Sequence, residues 1–410
     1  MIFSAFSSLP SLPSDSVTVH VTRSAAKRLR QGHPWLFDGG IEKVNRDAPA
    51  GSVAVVFDDR RKMVGLGLYD PGHPIRVKML MRGGGVQVDE DFFAERVQTA
   101  VMKRADLEPQ GTDGYRLIYG ESDGLPGLVV DRYAGTIVIK LYSSVWWSRL
   151  AQVTPSLLRL TQAQHVVLRL SRALQDEAAA FGLRDGQLLS AEPLPAELTF
   201  QENGLTFEVD VLRGQKTGFF LDQRDNRKRV EALSAKKRVL NVFSYTGGFS
   251  LYAARGGARE VTSLDASRPA LDAAVRNFAL NPEIPTPHRT ICGDAFTEMS
   301  MLAKTGRTFE LIVIDPPSFA RKKSEIDTAR KAYGRLTKLG LQLLAPGGTL
   351  LLASCSSRIT MEDFIDINMQ SARRAGRSLN IVEAHGHAPD HPVTFPEGAY
   401  LKCLVTTAGG

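Results

Sequence analysis

Val239-Leu-Asn-Val-Phe-Ser-Tyr-Thr-Gly-Gly248 runs a short apolar, β-branched stretch into a pair of glycines, and a helical pattern opens at about Phe249. A strand that ends in a glycine turn before a helix is the opening unit of an alternating α/β sheet. Glycine at that turn lets a ligand approach the backbone closely. The alternation continues downstream. Strands are predicted over Arg238–Phe243, Val261–Asp265, Arg289–Cys292, Leu311–Ile314 and Thr349–Ala353, with helices between them such as Arg268–Leu280 and Ile326–Leu344. This pattern predicts a Rossmann-like α/β domain: a parallel sheet with helices on both faces, whose ligands bind beyond the carboxyl ends of the strands.

Each of these strands ends in a group with chemistry. The second closes on Asp265, a carboxylate suited to paired ribose hydroxyls, and Ala266 follows it. The third gives Cys292-Gly-Asp294 and then Ala295; Asp294 suits an adenine amino group. The glycine pair alone reads equally well as a tight turn. A full GxGxxG is absent, which weighs against a dinucleotide and its pyrophosphate. Taken together, the glycine turn, Asp265, Asp294 and the Asp-Pro-Pro described next fit a cofactor with ribose, adenine and a charged amino-acid end but no phosphate. S-adenosyl-L-methionine is such a molecule.

The fourth strand runs into Asp315-Pro-Pro-Ser-Phe319. Two prolines lock φ and donate no N–H, so they impose a stiff extended turn. Such a turn can hold the Asp315 carboxylate and a backbone carbonyl against a planar base, with Phe319 stacked on it; the bland alternative is a rigid loop. The fifth strand ends in Ser354-Cys-Ser-Ser357, which puts Cys355 at the same rim, next to the Asp315 strand. Carbon 5 of cytosine is a poor nucleophile. A thiolate adding to carbon 6 makes carbon 5 enamine-like, and cysteine is the residue suited to that covalent step. Asp315 would then stabilise protonation at nitrogen 3. A lone cysteine is ordinarily core, and Cys292 and Cys403 are read that way, as structural. No residue stands out as the base for the carbon 5 proton.

The 410 residues predict more than one domain. Residues 1–16, rich in Ser and Pro, are expected to be a disordered tail. Residues 17–86 hold short β-branched runs at Val17–Val21, Ser52–Phe57, Val64–Tyr69 and Ile75–Leu80, separated by Gly/Pro turns, with a short basic helix at Ser24–Arg30. They read as a small β-barrel, with Trp35 read as core. Residues 87–195 are a mixed α+β region, with a helix over Asp91–Ala105 and strands over Tyr115–Tyr119, Leu128–Asp131, Ile137–Leu141 and His165–Leu170; residues 196–410 hold the alternating sheet. The three cysteines form no disulfide framework and no zinc spacing, so no metal is expected and the compartment is read as reducing and cytoplasmic. No apolar run approaches the roughly 20 residues of a membrane helix. A net charge of +7 suits a phosphate-bearing partner. Lys27 and Arg28 on the basic helix, and Arg321 and Lys322 beyond the Asp-Pro-Pro turn, are candidate RNA contacts; a solvated surface is the alternative for each.

Several motifs together resemble one family. They are Asp315-Pro-Pro-Ser-Phe, Ser354-Cys-Ser, Lys216-Thr-Gly-Phe-Phe-Leu-Asp-Gln-Arg-Asp-Asn-Arg227, Asp390-His-Pro392, Phe395-Pro-Glu-Gly-Ala-Tyr-Leu-Lys402, Arg28-Leu-Arg-Gln-Gly-His-Pro-Trp35 and Gly65-Leu-Gly-Leu-Tyr69. The combination resembles the bacterial 23S rRNA cytosine-5 methyltransferases that carry an N-terminal PUA domain, across nearly the whole chain after the tail. The resemblance implies a PUA-like barrel, a central α+β domain and a Rossmann-like class I methyltransferase domain. It implies Cys355 as nucleophile. It implies a cofactor site lined by Asn241, Phe243, Tyr245, Gly247, Asp265, Asp294 and Asp315, with Phe219, Phe220 and Gln223 packed near the cofactor. Lys216 and Arg224 of the same segment join the candidate RNA contacts. Ribosomal RNA is the implied partner, and a homodimer is a further expectation because dimers are common in such enzymes. Related enzymes with Asp-Pro-Pro but no such cysteine methylate guanine, so Cys355 is what favours cytosine. Two other readings stay open: a guanine N-methyltransferase with a structural Cys355, and a non-catalytic RNA-binding or assembly module.

Overall fold

The structure is a computed structural model, described over residues 6–409. Contacts divide the chain into two compact units. One holds the chain through Gly204 together with Val209–Leu221 and Asp390–Phe395; the other holds Leu205–Glu208, Asp222–Pro389 and the chain from Pro396 on.

The first unit contains two sheets. Strands Trp35–Phe37, Ile75–Arg82, Met63–Tyr69, Val53–Phe57, Val17–Val21 and Ile41–Val44 lie side by side in that order. Val17, Val19 and Val21 are buried while Thr18 and His20 between them are not, the period-two pattern that turns one face of a strand to a core. Helix Arg23–Arg30 is capped by Thr22, whose hydroxyl accepts from Ala25 N at 3.2 Å. It buries Ala25, Ala26 and Leu29, and keeps Arg23, Lys27 and Arg30, spaced for one helical face, in water. Strands Trp35–Phe37 and Ile41–Val44 escaped the sequence reading because three or four residues are too few to show a period. Trp35 is a correction: it is half-buried at the sheet edge, edge-on to Phe395, and donates from its indole to Glu121 Oε1 at 2.9 Å.

The second sheet orders Gln187–Leu188, His165–Leu170, Thr136–Leu141, Leu128–Tyr133 and Gly114–Tyr119, with helices Glu90–Met102 and Leu150–Thr161 in the same unit. Leu68 and Leu80 of the first sheet join its apolar core. So does Phe6, 8% exposed, with Leu9 packed beside it and Ser8 Oγ donating to Phe181 O at 2.6 Å. The expectation of a disordered tail therefore fails for these residues, because two apolar side chains find a core; residues 1–5 lie outside the described part. Buried ion pairs tie the unit together: Arg104–Asp123 at 2.7 Å and Arg116–Asp131 at 2.5 Å.

The second unit holds a seven-stranded sheet: His288–Cys292, Glu260–Asp265, Arg238–Val242, Phe309–Ile314, Leu344–Ser354, Lys402–Gly409 and Ser378–His385. The first five are parallel, and Lys402–Gly409 runs antiparallel between its neighbours. These strands read as unbroken apolar runs because both faces are covered. Leu240, Val242, Ile312, Ile314, Leu350 and Leu352 face one core; Val239, Leu311, Val313, Leu351 and Ala353 face the other. In-register pairing of Val242 with Leu264 and Ile314, of Ile314 with Leu352, and of Asp265 with Cys292 brings the carboxyl ends to one edge. The sequence reading had no antiparallel strand. An antiparallel return pairs equally well, and nothing in the apolar run Leu401–Val405 distinguishes the two directions.

Candidate active site

The site is built where the parallel strands stop. After Val242 the backbone turns through Phe243 (φ 60°), Tyr245 (φ 47°) and Gly247 (φ 78°) before helix Gly248–Arg255 begins. Glycine is at home in that region. Aromatic residues are not, and each costs on the order of 1–3 kcal/mol. Asp265 offsets part of this: its Oδ2 accepts from Tyr245 N at 2.9 Å, while its Oδ1 accepts from Ser267 N at 2.9 Å. Gly247 is also fixed by packing, since a Cβ there would lie 2.8 Å from Ala274 Cβ.

Beneath the turn, a buried polar chain crosses the sheet. Asn241 Nδ2 donates to Ser250 Oγ at 2.9 Å, Ser250 Oγ shares a hydrogen bond with Ser263 Oγ at 2.6 Å, and Ser263 Oγ another with His288 Nε2 at 2.8 Å. Asn241 Oδ1, Ser244 Oγ and Thr246 Oγ1 remain buried with no partner among the described residues. Three unpaired polar atoms around one turn cost free energy unless a ligand meets them. Asn241 Oδ1 can only accept, so it suits a ligand that carries N–H donors.

The second and third strand ends form one rim. Gly293 N donates to Asp265 O at 3.0 Å and Cys292 Sγ to Ala266 O at 3.7 Å. Asp294 caps helix Ala295–Lys304, accepting from Thr297 N and Thr297 Oγ1 at 2.9 Å each. Asp294 and Ala266 are exposed and Ala295 is buried.

The fourth and fifth strand ends carry Asp315 and Cys355. Asp315 Oδ2 accepts from Gln223 Nε2 at 2.8 Å, and Gln223 Oε1 accepts from Asn226 Nδ2 at 2.6 Å. Cys355, half-buried, points its thiol at the Pro316 carbonyl at 3.9 Å. The turn around Cys355 is held by its serines: Ser354 Oγ shares a hydrogen bond with Tyr333 OH at 2.8 Å, and Ser356 Oγ donates to Ala320 O at 2.7 Å. Phe319 is half-buried and sits edge-on to Tyr333 at 5.1 Å. Arg321 and Lys322 are exposed. Their backbone N–H groups donate to Glu325 Oε2 at 2.7 and 3.0 Å, and these bonds hold the Glu325 carboxyl below the usual range.

The structure thus brings together Asn241, Phe243, Tyr245, Gly247, Asp265, Ala266, Asp294, Ala295, Asp315, Gln223 and Cys355 along one sheet edge. Lys27, Arg28, Lys216 and Phe220 belong to the first unit instead, where Lys216 (φ 56°) places its ammonium 4.6 Å from the Phe220 ring. Arg224 corrects the sequence reading: it is 3% exposed and pairs with Asp225 at 3.5 Å, so it is not presented as a surface cation. Sequence reasoning missed Tyr333, the Ser250–Ser263–His288 chain and Lys402. Lys402 Nζ donates to Ser356 O at 2.5 Å and to Tyr400 O at 2.8 Å. A single lysine inside Leu401–Val405 was the available signal.

Comparison with known proteins accords with this geometry. Residues 116–406 match the family model of S-adenosylmethionine-dependent methyltransferases, and residues 19–82 match that of PUA-like domains. The chain is 46% identical over 402 residues to a Deinococcus radiodurans protein named ribosomal RNA large subunit methyltransferase, covering 97% of this chain and 98% of the relative. It is 38% identical over 385 residues to the Klebsiella pneumoniae ribosomal RNA large subunit methyltransferase I, covering 93% and 96%. In fold it is similar to a Streptococcus mutans protein assigned as a SAM-dependent methyltransferase, with a TM-score of 0.81 at 22% identity over 95% of this chain and 99% of the other. Another solved methyltransferase, complexed with SAH, gives a TM-score of 0.82 at 23% identity over the same shares. The chain therefore belongs to the S-adenosylmethionine-dependent methyltransferase family and carries a PUA-like domain at its N-terminal end.

Proposed function

We propose that this protein transfers a methyl group from S-adenosylmethionine to carbon 5 of a cytosine in 23S ribosomal RNA, through a covalent adduct at Cys355. The observation that carries the reading is the Cys355 thiol 3.9 Å from the Pro316 carbonyl, at the strand tip beside Asp315. The names of the relatives supply the substrate class, large-subunit ribosomal RNA.

When bound, the cofactor supplies an electrophilic methyl group. Asn241 Oδ1 would receive donors of its amino-acid end, Asp265 its ribose hydroxyls and Asp294 its adenine amino group; Gln223, Phe243, Tyr245, Gly247, Ala266 and Ala295 complete the proposed lining. The rest of the chemistry belongs to the protein. The Cys355 thiolate adds to carbon 6 of the extruded base, forming the Sγ–C6 bond and pushing the C5=C6 electron pair toward carbon 5. Asp315, held by Gln223, hydrogen-bonds nitrogen 3 and stabilises it as a proton settles there. Once carbon 5 carries the methyl group, a base removes its proton. The pair left behind re-forms C5=C6 and expels Sγ as the thiolate, and nitrogen 3 gives back the proton it took up. Extruding a base costs least in single-stranded loops. Lys27, Arg28, Arg321 and Lys322, all exposed, would take backbone phosphates. The proposed domains are the barrel over 17–86, the α+β region over 87–195 and the transferase from 196.

The test is methyl transfer from labelled cofactor to protein-free 23S and 16S RNA, followed by nucleoside mass spectrometry, with wild type beside Cys355→Ala. The expected result is 5-methylcytosine in 23S RNA with wild type and none with the variant. A methylated guanine made equally well by Cys355→Ala refutes both the target atom and the role of Cys355.

A further inference from the structure

Lys402 is 3% exposed, between buried Leu401 and buried Cys403. Its ammonium makes hydrogen bonds to two backbone carbonyls, and no carboxylate pairs with it among the described residues. A buried ammonium without an anion is costly, by several kcal/mol. Burial accordingly pulls its pKa down to about 8, and the charge of Cys355 acts in the opposite direction. The geometry explains that coupling. Lys402 lies directly across the antiparallel pair from Ser354, and its ammonium grips the carbonyl of Ser356, so it brackets the residue between them.

Asp315 stands on the neighbouring strand tip. Tyr333 reaches in from helix Ile326–Leu343, its hydroxyl bound to Ser354; burial raises its pKa, and Cys355 and Asp315 both raise it further. Cys403, next to Lys402, is fully buried. Glu383, on the edge strand paired with that of Lys402, is already tied to Arg229 and His385. Asp315 brings negative charge to the same strand tips, and Lys402 is a cation placed to offset it.

We propose that Lys402 is a positioning residue: its buried ammonium is the counter-charge that holds Cys355 as a thiolate. This rests on the reading of Cys355 as nucleophile, but electrostatic coupling is reciprocal and can be measured on the resting enzyme without RNA or turnover. The experiment is iodoacetamide alkylation of Cys355 in the full-length protein, followed against pH by peptide-resolved mass spectrometry, for wild type, Lys402→Met and Lys402→Arg. Lys402→Met is expected to raise the Cys355 midpoint by one pH unit or more and slow alkylation at pH 7 at least tenfold; Lys402→Arg keeps the wild-type midpoint. A wild-type midpoint in Lys402→Met overturns the proposal. So does an equal rise in both variants, which marks a packing defect. If Lys402→Met does not fold, the reciprocal measurement replaces it: in Cys355→Ser, the Lys402 ammonium, followed by NMR, titrates at lower pH than in wild type, and an unchanged titration overturns the proposal. Activity of Cys355→Ala fails the nucleophile reading alone, and the alkylation profile fails the Lys402 reading alone.

Discussion

Acidifying the protein should loosen the transferase sheet through one histidine. His288 ends the Asn241–Ser250–Ser263 chain and stacks on Phe278 with ring centroids 3.8 Å apart and planes 4° from parallel. Burial pulls its pKa from 6.5 to about 4. Unfolded, the ring takes a proton at its ordinary pKa; folded, it resists until about pH 4. Between these values the unfolded state binds more protons, so stability falls as pH drops below 6.5, and the loss is complete below about pH 4. At pH 5 the full linkage comes to about 2 kcal/mol, and water at the half-buried ring edge trims it toward about 1 kcal/mol. His288→Gln keeps a polar partner for Ser263 and removes the titration. The reporter is Cys403, which is fully buried in the same sheet. Pulse labelling it along a urea gradient, with a dithiopyridine reagent that reacts at acid pH, gives the midpoint of unfolding. Wild type should lose about 1–2 kcal/mol more than His288→Gln between pH 7.5 and pH 5. Equal losses in the two proteins would refute the reasoning.

Replacing Arg104 by Met strips Asp123 of its bidentate partner in a buried setting, and should cost about 3–5 kcal/mol. Tryptophan fluorescence reads this directly, because Trp35, Trp146 and Trp147, the only tryptophans in the chain, all lie in the first unit. Gln223→Met removes the donor to Asp315. A hydrogen bond to a charged group is worth about 1.5–3 kcal/mol, so kcat should fall roughly tenfold to a hundredfold, read by methyl transfer at saturating cofactor; an unchanged kcat removes Gln223 from the support of Asp315. Lys27→Ala, on the exposed cationic face of its helix, should weaken RNA binding uniformly and reduce the salt slope by about one; an unchanged slope removes Lys27 from the contact surface.

Much of the fold was legible in local pattern. Strands such as Val17–Val21, His165–Leu170 and Arg238–Val242 were readable because each is a short run built around valines. The acids Asp265, Asp294 and Asp315 were readable because each closes a strand or starts a helix. Other features depend on partners distant in sequence. Phe6 reads as tail until a core accepts it, and Arg224 as a surface cation until its burial is seen. The left-handed backbone at Phe243 and Tyr245 has no signature in aromatic residues, which ordinarily avoid it; the carboxylate that secures it arrives from the next strand.

By itself the sequence determined the order of the elements, the rim of strand ends, and the chemical types found there: an acid before two prolines, a cysteine between serines, two further acids. These follow from local periodicity and turn chemistry, which neighbouring residues settle among themselves. Tertiary structure alone decided that the Cys355 thiol faces the Pro316 carbonyl, that Gln223 holds Asp315, and that a lysine 47 positions after Cys355 brackets it from an antiparallel strand. Those contacts depend on strand direction and register, which are set by how whole faces pack rather than by any one stretch of chain.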